Sequence, residues 1–262
     1  MSETKQQPIL QLIQINKRFG AVQALQNVDF EVYPAEVIGL VGDNGAGKST
    51  LVKIISGVYR FDSGQYLFDG KPFAITNPRD ATALGIETVY QDLALCDNLD
   101  VVGNLYLGRE RTETLVPGFV KTMDEITMEH EAERIIRELH VRVPSVRSPV
   151  AMLSGGQRQS TAVARAVMWN SKVVLLDEPT AALGVEQTRQ VKDLIMRLRE
   201  RGLGVVVISH NLADVFDVSD RIIVLRLGQR VATLDTRTTN PEQVVAAITG
   251  AEFGAASADV KK

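Results

Sequence analysis

Gly42-Asp43-Asn44-Gly45-Ala46-Gly47-Lys48-Ser49-Thr50 is the stretch that decides the fold of this 262-residue chain. A short buried strand is predicted over residues 36–41, just before this stretch, and residues 48–56 predict a helix that stops at Gly57. A strand, a loop of the form G-x-x-x-x-G-K-[ST] and a helix, in this order, are typical of a phosphate-binding loop. The alternative is a glycine-rich turn with a coincidental lysine, which the flanking strand and helix disfavour.

The residue types of this loop suit a polyphosphate. Glycines let the backbone curl so that N–H groups point at phosphate oxygens, and the helix that follows adds the positive end of its dipole. Lys48 supplies a cation to the β- and γ-phosphates, and the Ser49 hydroxyl can ligate Mg²⁺. The residues predicted to contact the phosphates are Gly42, Asn44, Gly45, Ala46, Gly47, Lys48, Ser49 and Thr50.

Two acids follow a second apolar strand, which is predicted over residues 173–176. Ligand sites of open α/β sheets lie at the carboxyl ends of the strands. We therefore expect Asp177 to hold Mg²⁺, directly or through water, and Glu178 to polarise the attacking water as a general base. A solvated strand end is the plainer alternative, but the phosphate loop favours the catalytic interpretation because P-loop enzymes need such an acid.

The remaining patterns indicate an α/β fold with a mostly parallel core sheet. Residues 9–15 and 28–32 alternate apolar and polar side chains, which predicts an N-terminal antiparallel β subdomain. Helical spacing predicts a helical insertion over about residues 93–170, which includes a capping box at Thr122-Met123-Asp124-Glu125. We expect one domain over residues 9–250, between a disordered N-terminus (residues 1–8) and a flexible tail (residues 251–262).

Composition limits the classes of function. The net charge of -3 disfavours a dedicated nucleic-acid surface, which is usually basic. A single cysteine, Cys96, cannot form an internal disulfide and fits a reducing compartment. No apolar run approaches the roughly 18 residues that a membrane span needs. A function at a membrane would therefore require docking onto a partner that spans it.

Leu153-Ser154-Gly155-Gly156-Gln157 resembles the signature motif of ATP-binding cassette (ABC) transporter ATPases. Locally it is also a capping box that opens a helix, which is the plainer alternative. The twin glycines favour function, because a phosphate can approach their bare N–H groups. The resemblance covers about residues 10–250 and implies a P-loop NTPase fold of the ABC type with ATP and Mg²⁺ as ligands. It also implies a head-to-tail homodimer, in which Ser154, Gly155, Gly156 and Gln157 close over the γ-phosphate bound by the opposite subunit.

Three further positions match this family. Gln91 corresponds to the Q-loop glutamine that senses Mg²⁺ and the attacking water, and His210 to the switch histidine that contacts the γ-phosphate. Phe19 stands where the family places an aromatic ring against adenine. The plainer alternatives are a surface amide, a structural histidine and a core phenylalanine. The family usually has an aspartate where this chain has Gly184, which puts the coupling of the two ATP sites in doubt.

Residues 77–91 and 104–110 resemble the ATPases of bacterial monosaccharide importers, and the single cassette resembles the fructose-type subgroup, although Gly103 breaks the usual Glu-Asn pair. This implies a place on the cytoplasmic face of the bacterial inner membrane. The implied partners are integral membrane permease subunits and, indirectly, a periplasmic sugar-binding protein, with no nucleic acid expected. Which sugar is carried cannot be deduced from the residues.

Two other classes of function are weaker. A soluble ABC-type ATPase clamp acting on nucleic acid or ribosomes would need a long coiled coil or two cassettes, and the chain has neither sustained heptads nor a second phosphate loop. A nucleotide-binding regulator without turnover would not need Glu178 and His210.

Overall fold

The computed structural model describes residues 7–116 and 120–251, so most of the predicted disordered N-terminus and flexible tail lies outside the described residues. The strands are β1 (Leu10–Phe19), β2 (Val22–Val32), β3 (Val37–Val41), β4 (Ser63–Phe68), β5 (Lys71–Pro72), β6 (Ile86–Val89), β7 (Thr112–Val116), β8 (Val120–Met123), β9 (Val173–Asp177), β10 (Gly204–Ile208), β11 (Arg221–Arg226) and β12 (Gln229–Asp235). The α-helices are α1 (Lys48–Ile55), α2 (Pro78–Ala83), α3 (Val101–Tyr106), α4 (Glu125–Glu138), α5 (Gly155–Val167), α6 (Val185–Glu200), α7 (Leu212–Val218) and α8 (Pro241–Thr249).

A six-stranded sheet in the order β12-β11-β3-β10-β9-β6 forms the centre of the molecule. All neighbouring strands in it are parallel except β11 and β12, which form an antiparallel hairpin. Every residue of β3 and β10 is buried, as expected for parallel strands covered on both faces. The predicted mostly parallel core sheet is therefore confirmed.

The N-terminal antiparallel sheet is also confirmed, with strands longer than the alternation predicts. Its order is β2-β1-β4-β5, and β1 pairs with both β2 and β4 in antiparallel register. Phe30, Tyr66 and Leu51 belong to one hydrophobic core, which joins this sheet to α1 and to one face of the central sheet. A second core joins the opposite face to α3, α4, α5 and α6.

The segment over residues 93–170 is less purely helical than its pattern predicts, because the antiparallel hairpin β7–β8 lies between α3 and α4. The predicted capping box at Thr122–Glu125 is wrong. Thr122 pairs with Glu113 across the hairpin, and Asp124 is the residue that caps α4, by accepting a hydrogen bond of 3.0 Å from the Thr127 N–H. Because Thr122 is paired in the hairpin, the helix is capped by Asp124, two residues later than predicted.

None of the helices in residues 7–116 and 120–251 is both long enough and apolar enough to cross a membrane.

Candidate functional site

Four loops meet at the carboxyl end of the central sheet, because the strands that precede them are parallel and adjacent. Leu40 of β3 is in register with Ile208 of β10, Ile208 with Asp177 of β9, and Leu176 with Val89 of β6. The phosphate loop, the segment with His210, the acids at 177 and 178, and Gln91 therefore follow one another along this end. The sheet thus brings together residues that the sequence places more than 160 positions apart.

The phosphate loop is held in a backbone conformation that favours glycine. Gly42 has a φ of 150°, and a Cβ placed on it would lie 2.2 Å from the carbonyl oxygen of Leu225. Gly47 has a φ of 104°, and a Cβ placed on it would lie 2.8 Å from the carbonyl oxygen of Ala24. Lys48 donates hydrogen bonds to the Gly42 and Asp43 carbonyl oxygens, at 2.7 and 3.0 Å. The ammonium group is thus placed at the opening of the loop.

The charges of the loop and of the acids act on one another. Burial lowers the pKa of Lys48, and the negative charges of Glu178, Asp43 and Asp177 oppose that effect. Burial, and then the charge of Glu178, raises the pKa of Asp177, while Lys48 and Lys53 act in the opposite direction. The charged form of Asp177 is therefore disfavoured by its surroundings, which favours a cation between this carboxylate and the loop.

Glu178 is fixed by two neighbours from the end of β10. His210 Nδ1 lies 2.9 Å from Glu178 Oε1, and the Ser209 hydroxyl donates to Oε2 at 3.3 Å. The Glu178 N–H donates to the Ile208 carbonyl oxygen at 2.8 Å, and the residue has a φ of 49°. His210 itself is 79% exposed and Glu178 only 17%. The histidine is therefore placed to touch both the carboxylate and a ligand in solvent, which a structural histidine would not be.

Phe19 ends β1 and is not a core residue. Its side chain is 43% exposed, and its ring meets the ring of Tyr59 edge-on at 5.2 Å between centroids. The Lys17 ammonium lies 5.3 Å from the same ring centroid. A partly exposed aromatic ring can stack on a planar base. Gln91 is likewise exposed, in the loop that follows β6.

The signature-like segment forms the predicted capping box. The Gln157 N–H donates to Ser154 Oγ at 3.4 Å, and the Ser154 N–H donates to Gln157 Oε1 at 2.9 Å. Gly155 is exposed, but Gly156 is buried, and a Cβ on it would lie 2.9 Å from the Cβ of Gln187 in α6. Packing against α6 therefore requires glycine at position 156. The two consecutive glycines are thus explained partly by packing and not only by access of a phosphate to their N–H groups.

One buried polar residue near the site was missed from the sequence. Asp214 of α7 is 8% exposed and accepts hydrogen bonds from Thr180 Oγ1 at 2.8 Å and from Asn211 Nδ2 at 2.9 Å. It thus joins the loop behind Glu178 to the segment that carries His210. The only local indication of a role for Asp214 is its position four residues after His210 on a short helix. Acidic residues at such positions are usually solvated, so the sequence did not predict its burial.

Comparison with known proteins identifies the family. Residues 25–181 match the ABC transporter family. The chain is 45% identical to the fructose import ATP-binding protein of Rhizobium meliloti, over 94% of this chain and 96% of that protein. It belongs to the ABC transporter family. The ABC chain is also 43% identical to the xylose/arabinose import ATP-binding protein of Sulfolobus acidocaldarius, over 94% of this chain and 96% of that one.

A solved structure supports the ABC fold. A nucleotide-free ATP-binding cassette from an ABC transporter superposes with a TM-score of 0.75 at 25% identity, over 93% of this chain and 96% of that one. The predicted α/β fold of the ABC type is therefore confirmed.

Proposed function

We propose that this ABC chain is the ATP-binding and ATP-hydrolysing subunit of an importer, and that it powers the uptake of a monosaccharide through partner permease subunits. The observation that carries the proposal is the geometry of Glu178. Its carboxylate is held by His210 and Ser209 at the same end of the sheet as Lys48. A fixed, half-buried base next to a phosphate loop suits the activation of a water for attack on a phosphoryl group.

The other residues then have separate tasks. Lys48 and the N–H groups of the loop neutralise the phosphates, Phe19 stacks on adenine, His210 contacts the γ-phosphate, and Gln91 orients the attacking water. The residues proposed to contact the nucleotide are Phe19, Gly42, Asn44, Gly45, Ala46, Gly47, Lys48, Ser49, Thr50, Ser154, Gly155, Gly156 and Gln157.

The residues at the sheet end fit Mg²⁺. Asp177 carries a carboxylate whose ionised form burial and Glu178 disfavour, so a cation there would offset a local excess of negative charge. The oxygens of Ser49, Gln91 and Asp177 are the hard ligands that Mg²⁺ prefers, and it commonly takes its remaining ligands from substrate phosphates and water. No cluster of three His, Cys, Asp or Glu side chains in the described ranges could hold a metal by itself. When bound, Mg²⁺ would neutralise charge on the β- and γ-phosphates.

Replacing Asp177 with Asn should stabilise the nucleotide-free chain at neutral pH. The raised pKa of Asp177 means that its charged form is disfavoured in the folded state, so the penalty exists above that pKa and disappears as the pH falls through it. The gain in melting temperature should therefore be largest at neutral pH and should shrink as the pH falls towards 3.8, the ordinary pKa of an aspartate. Thermal unfolding with and without Mg²⁺·ATP checks this, and the variant should gain less from Mg²⁺·ATP than the original chain.

The matched control for that prediction is Asp193→Asn on α6, whose carboxylate is 49% exposed. It should change the melting temperature little, since exposed ion pairs contribute about 0–1 kcal/mol. An Asp177→Asn chain that melts lower than the original at neutral pH would contradict the electrostatic account.

A second copy of the chain completes the site in this proposal, as a head-to-tail homodimer. Three of the most exposed large apolar side chains adjoin its motifs: Met152 at 79%, Val185 at 92% and Leu227 at 76%. Met152 precedes the signature-like segment, Val185 follows Gly184, and Leu227 belongs to the turn whose Gly228 N–H donates to the Ala46 carbonyl oxygen at 3.1 Å. A facing copy would remove these side chains from water.

The relatives support a monosaccharide as the transported substrate, but they do not identify the individual sugar. The names of two relatives of similar identity refer to fructose and to xylose/arabinose, all of them monosaccharides. Permease subunits and a periplasmic sugar-binding protein would choose among such sugars. We propose that the chain lies on the cytoplasmic face of the bacterial inner membrane. We also propose that residues 9–250 form one domain, with a helical insertion over about residues 93–170.

Co-purification tests the proposed function. The tagged chain, expressed with its genomic neighbours, should bring integral membrane subunits with it from detergent-solubilised membranes. Vesicles containing the complex and its sugar-binding protein should then take up a labelled monosaccharide only with ATP. A Glu178→Gln chain should keep the membrane subunits and lose the uptake. Recovery of nucleic acid or ribosomes without membrane subunits would instead favour the soluble clamp.

A further inference from the structure

The loop over residues 91–97, here called the Gln91 loop, has a strained backbone. Leu93 and Ala94 are consecutive non-glycine residues with φ values of 58° and 46°. Residues other than glycine rarely adopt this backbone conformation, and two such residues in succession persist only where neighbouring groups hold them. The turn's own hydrogen bonds, from the Leu93 N–H to the Tyr90 carbonyl oxygen and from the Ala94 N–H to the Asp92 carbonyl oxygen, leave the carbonyls of Leu93 and Ala94 free to accept.

Arg165 of α5 binds those two carbonyls. Its Nη1 donates to the Ala94 carbonyl oxygen at 2.7 Å and its Nη2 to the Leu93 carbonyl oxygen at 3.0 Å. Burial lowers the pKa of this guanidinium, and no ion pair of Arg165 is found within residues 7–116 and 120–251. A partly buried charge without a carboxylate partner needs strong acceptors, and here the loop backbone supplies them.

A second arginine on the same face of α5 binds the far end of the loop. Arg158 lies seven residues before Arg165, which is two helical turns, and it forms a salt bridge with Asp97. The backbone just before the signature-like segment is attached as well, since the Ala151 N–H donates to the Asp97 carbonyl oxygen at 3.1 Å. The Gln91 loop is therefore bonded to residues on both sides of Ser154, which caps α5.

We propose that Arg165, assisted by Arg158, is a positioning residue that makes the Gln91 loop and the helix beginning at Ser154 move as one body. This inference rests on the proposed function. In a head-to-tail dimer, the signature-like segment of one copy faces the nucleotide of the other, while Gln91 serves its own copy's nucleotide. A shift of α5 on ATP binding at one site would move Gln91 at the second site, which gives a coupling route that does not need an aspartate at position 184.

The test compares Arg165→Ala, Arg165→Lys and Arg197→Ala in the full chain. Arg197 is a matched control, because it donates from α6 to a backbone carbonyl, that of Leu139, at 3.1 Å without touching the Gln91 loop. Backbone hydrogen exchange over residues 91–99 reports the attachment, and the ATP dependence of hydrolysis reports its consequence.

For Arg165→Ala we expect loop amides to exchange about tenfold faster. We also expect kcat to fall about tenfold and the Hill coefficient for ATP to fall to 1, with the Kd for ATP changed by no more than about twofold. Arg165→Lys should be intermediate because an ammonium lacks the planar fork that serves two carbonyls. Arg197→Ala should match the original chain in all four quantities. If Arg165→Ala does not fold, Asp97→Ala at the exposed end of the loop replaces it. We then expect smaller changes in amide exchange, kcat and the Hill coefficient, in the same direction.

Three results would overturn the inference. One is a folded Arg165→Ala chain, or Asp97→Ala in its place, whose loop exchanges at the original rate. The second is faster exchange in the variant with kcat and the Hill coefficient unchanged. The third is an original chain whose Hill coefficient is already 1. An original chain that does not hydrolyse ATP would instead defeat the proposed function, and the exchange measurement would still decide whether Arg165 holds the loop.

Discussion

Replacing Glu178 with Gln should lower steady-state ATP hydrolysis by about 10²–10⁴-fold, the range typical for the loss of a general base. The amide has nearly the shape of the carboxylate and can keep the contact with Ser209 Oγ, which lies 3.3 Å from Oε2. It cannot accept the proton of the attacking water. ATP binding depends on Lys48 and the loop backbone, so the Kd for ATP should change little. The variant should accumulate as an ATP-bound dimer.

The measurement pairs phosphate release with nucleotide titration and with molar mass from light scattering. Glu186→Gln is the matched control, since this carboxylate is exposed, is paired with Arg189 at 2.7 Å and lies in the first turn of α6. It should hydrolyse ATP at nearly the original rate. If Glu178→Gln also turned over undiminished, Glu178 would not be the base, and the proposed function would lose the observation that carries it.

The part of the site that could be predicted from sequence is the part built by local patterns on parallel strands. The phosphate loop, the acids at 177 and 178, and His210 each follow an apolar strand, and parallel strands end at the same side of a sheet. The strand pattern therefore indicated both the residue types and where they would meet. For the same reason the α/β fold with its antiparallel N-terminal sheet could be predicted before any contact was known.

What could not be predicted depends on partners far away along the chain. Ser209 touches Glu178 across 31 positions, Thr180 touches Asp214 across 34, and Arg165 reaches the Gln91 loop across more than 70. No local periodicity reports such pairs. Gly156 is a further example. Glycine is required there because a Cβ would collide with Gln187 of α6, a contact that the local sequence does not indicate.

The strongest structural constraint on the phosphate loop is at Gly42, and Gly42→Ala should damage both stability and nucleotide binding. The new Cβ would lie 2.2 Å from the Leu225 carbonyl oxygen and 3.1 Å from the Ala46 Cβ. Backbone of a central strand cannot move aside as a flexible side chain can. The φ of 150° adds strain for any residue with a Cβ. We expect a loss of about 2–4 kcal/mol in the free energy of unfolding, from overpacking and backbone strain together.

Gly45→Ala separates those two causes within the same loop. Gly45 has a φ of 78°, but no atom lies within 4 Å of a Cβ placed on it. Its loss should be about 1–2 kcal/mol, the cost of a left-handed conformation alone. Denaturant unfolding measures both variants, and ATP titration should show at least a tenfold weaker Kd for Gly42→Ala, because the loop can relieve the clash only by moving its N–H groups off the phosphates. Equal losses for the two variants would mean that left-handed strain, rather than the contact with β11, makes glycine necessary at position 42.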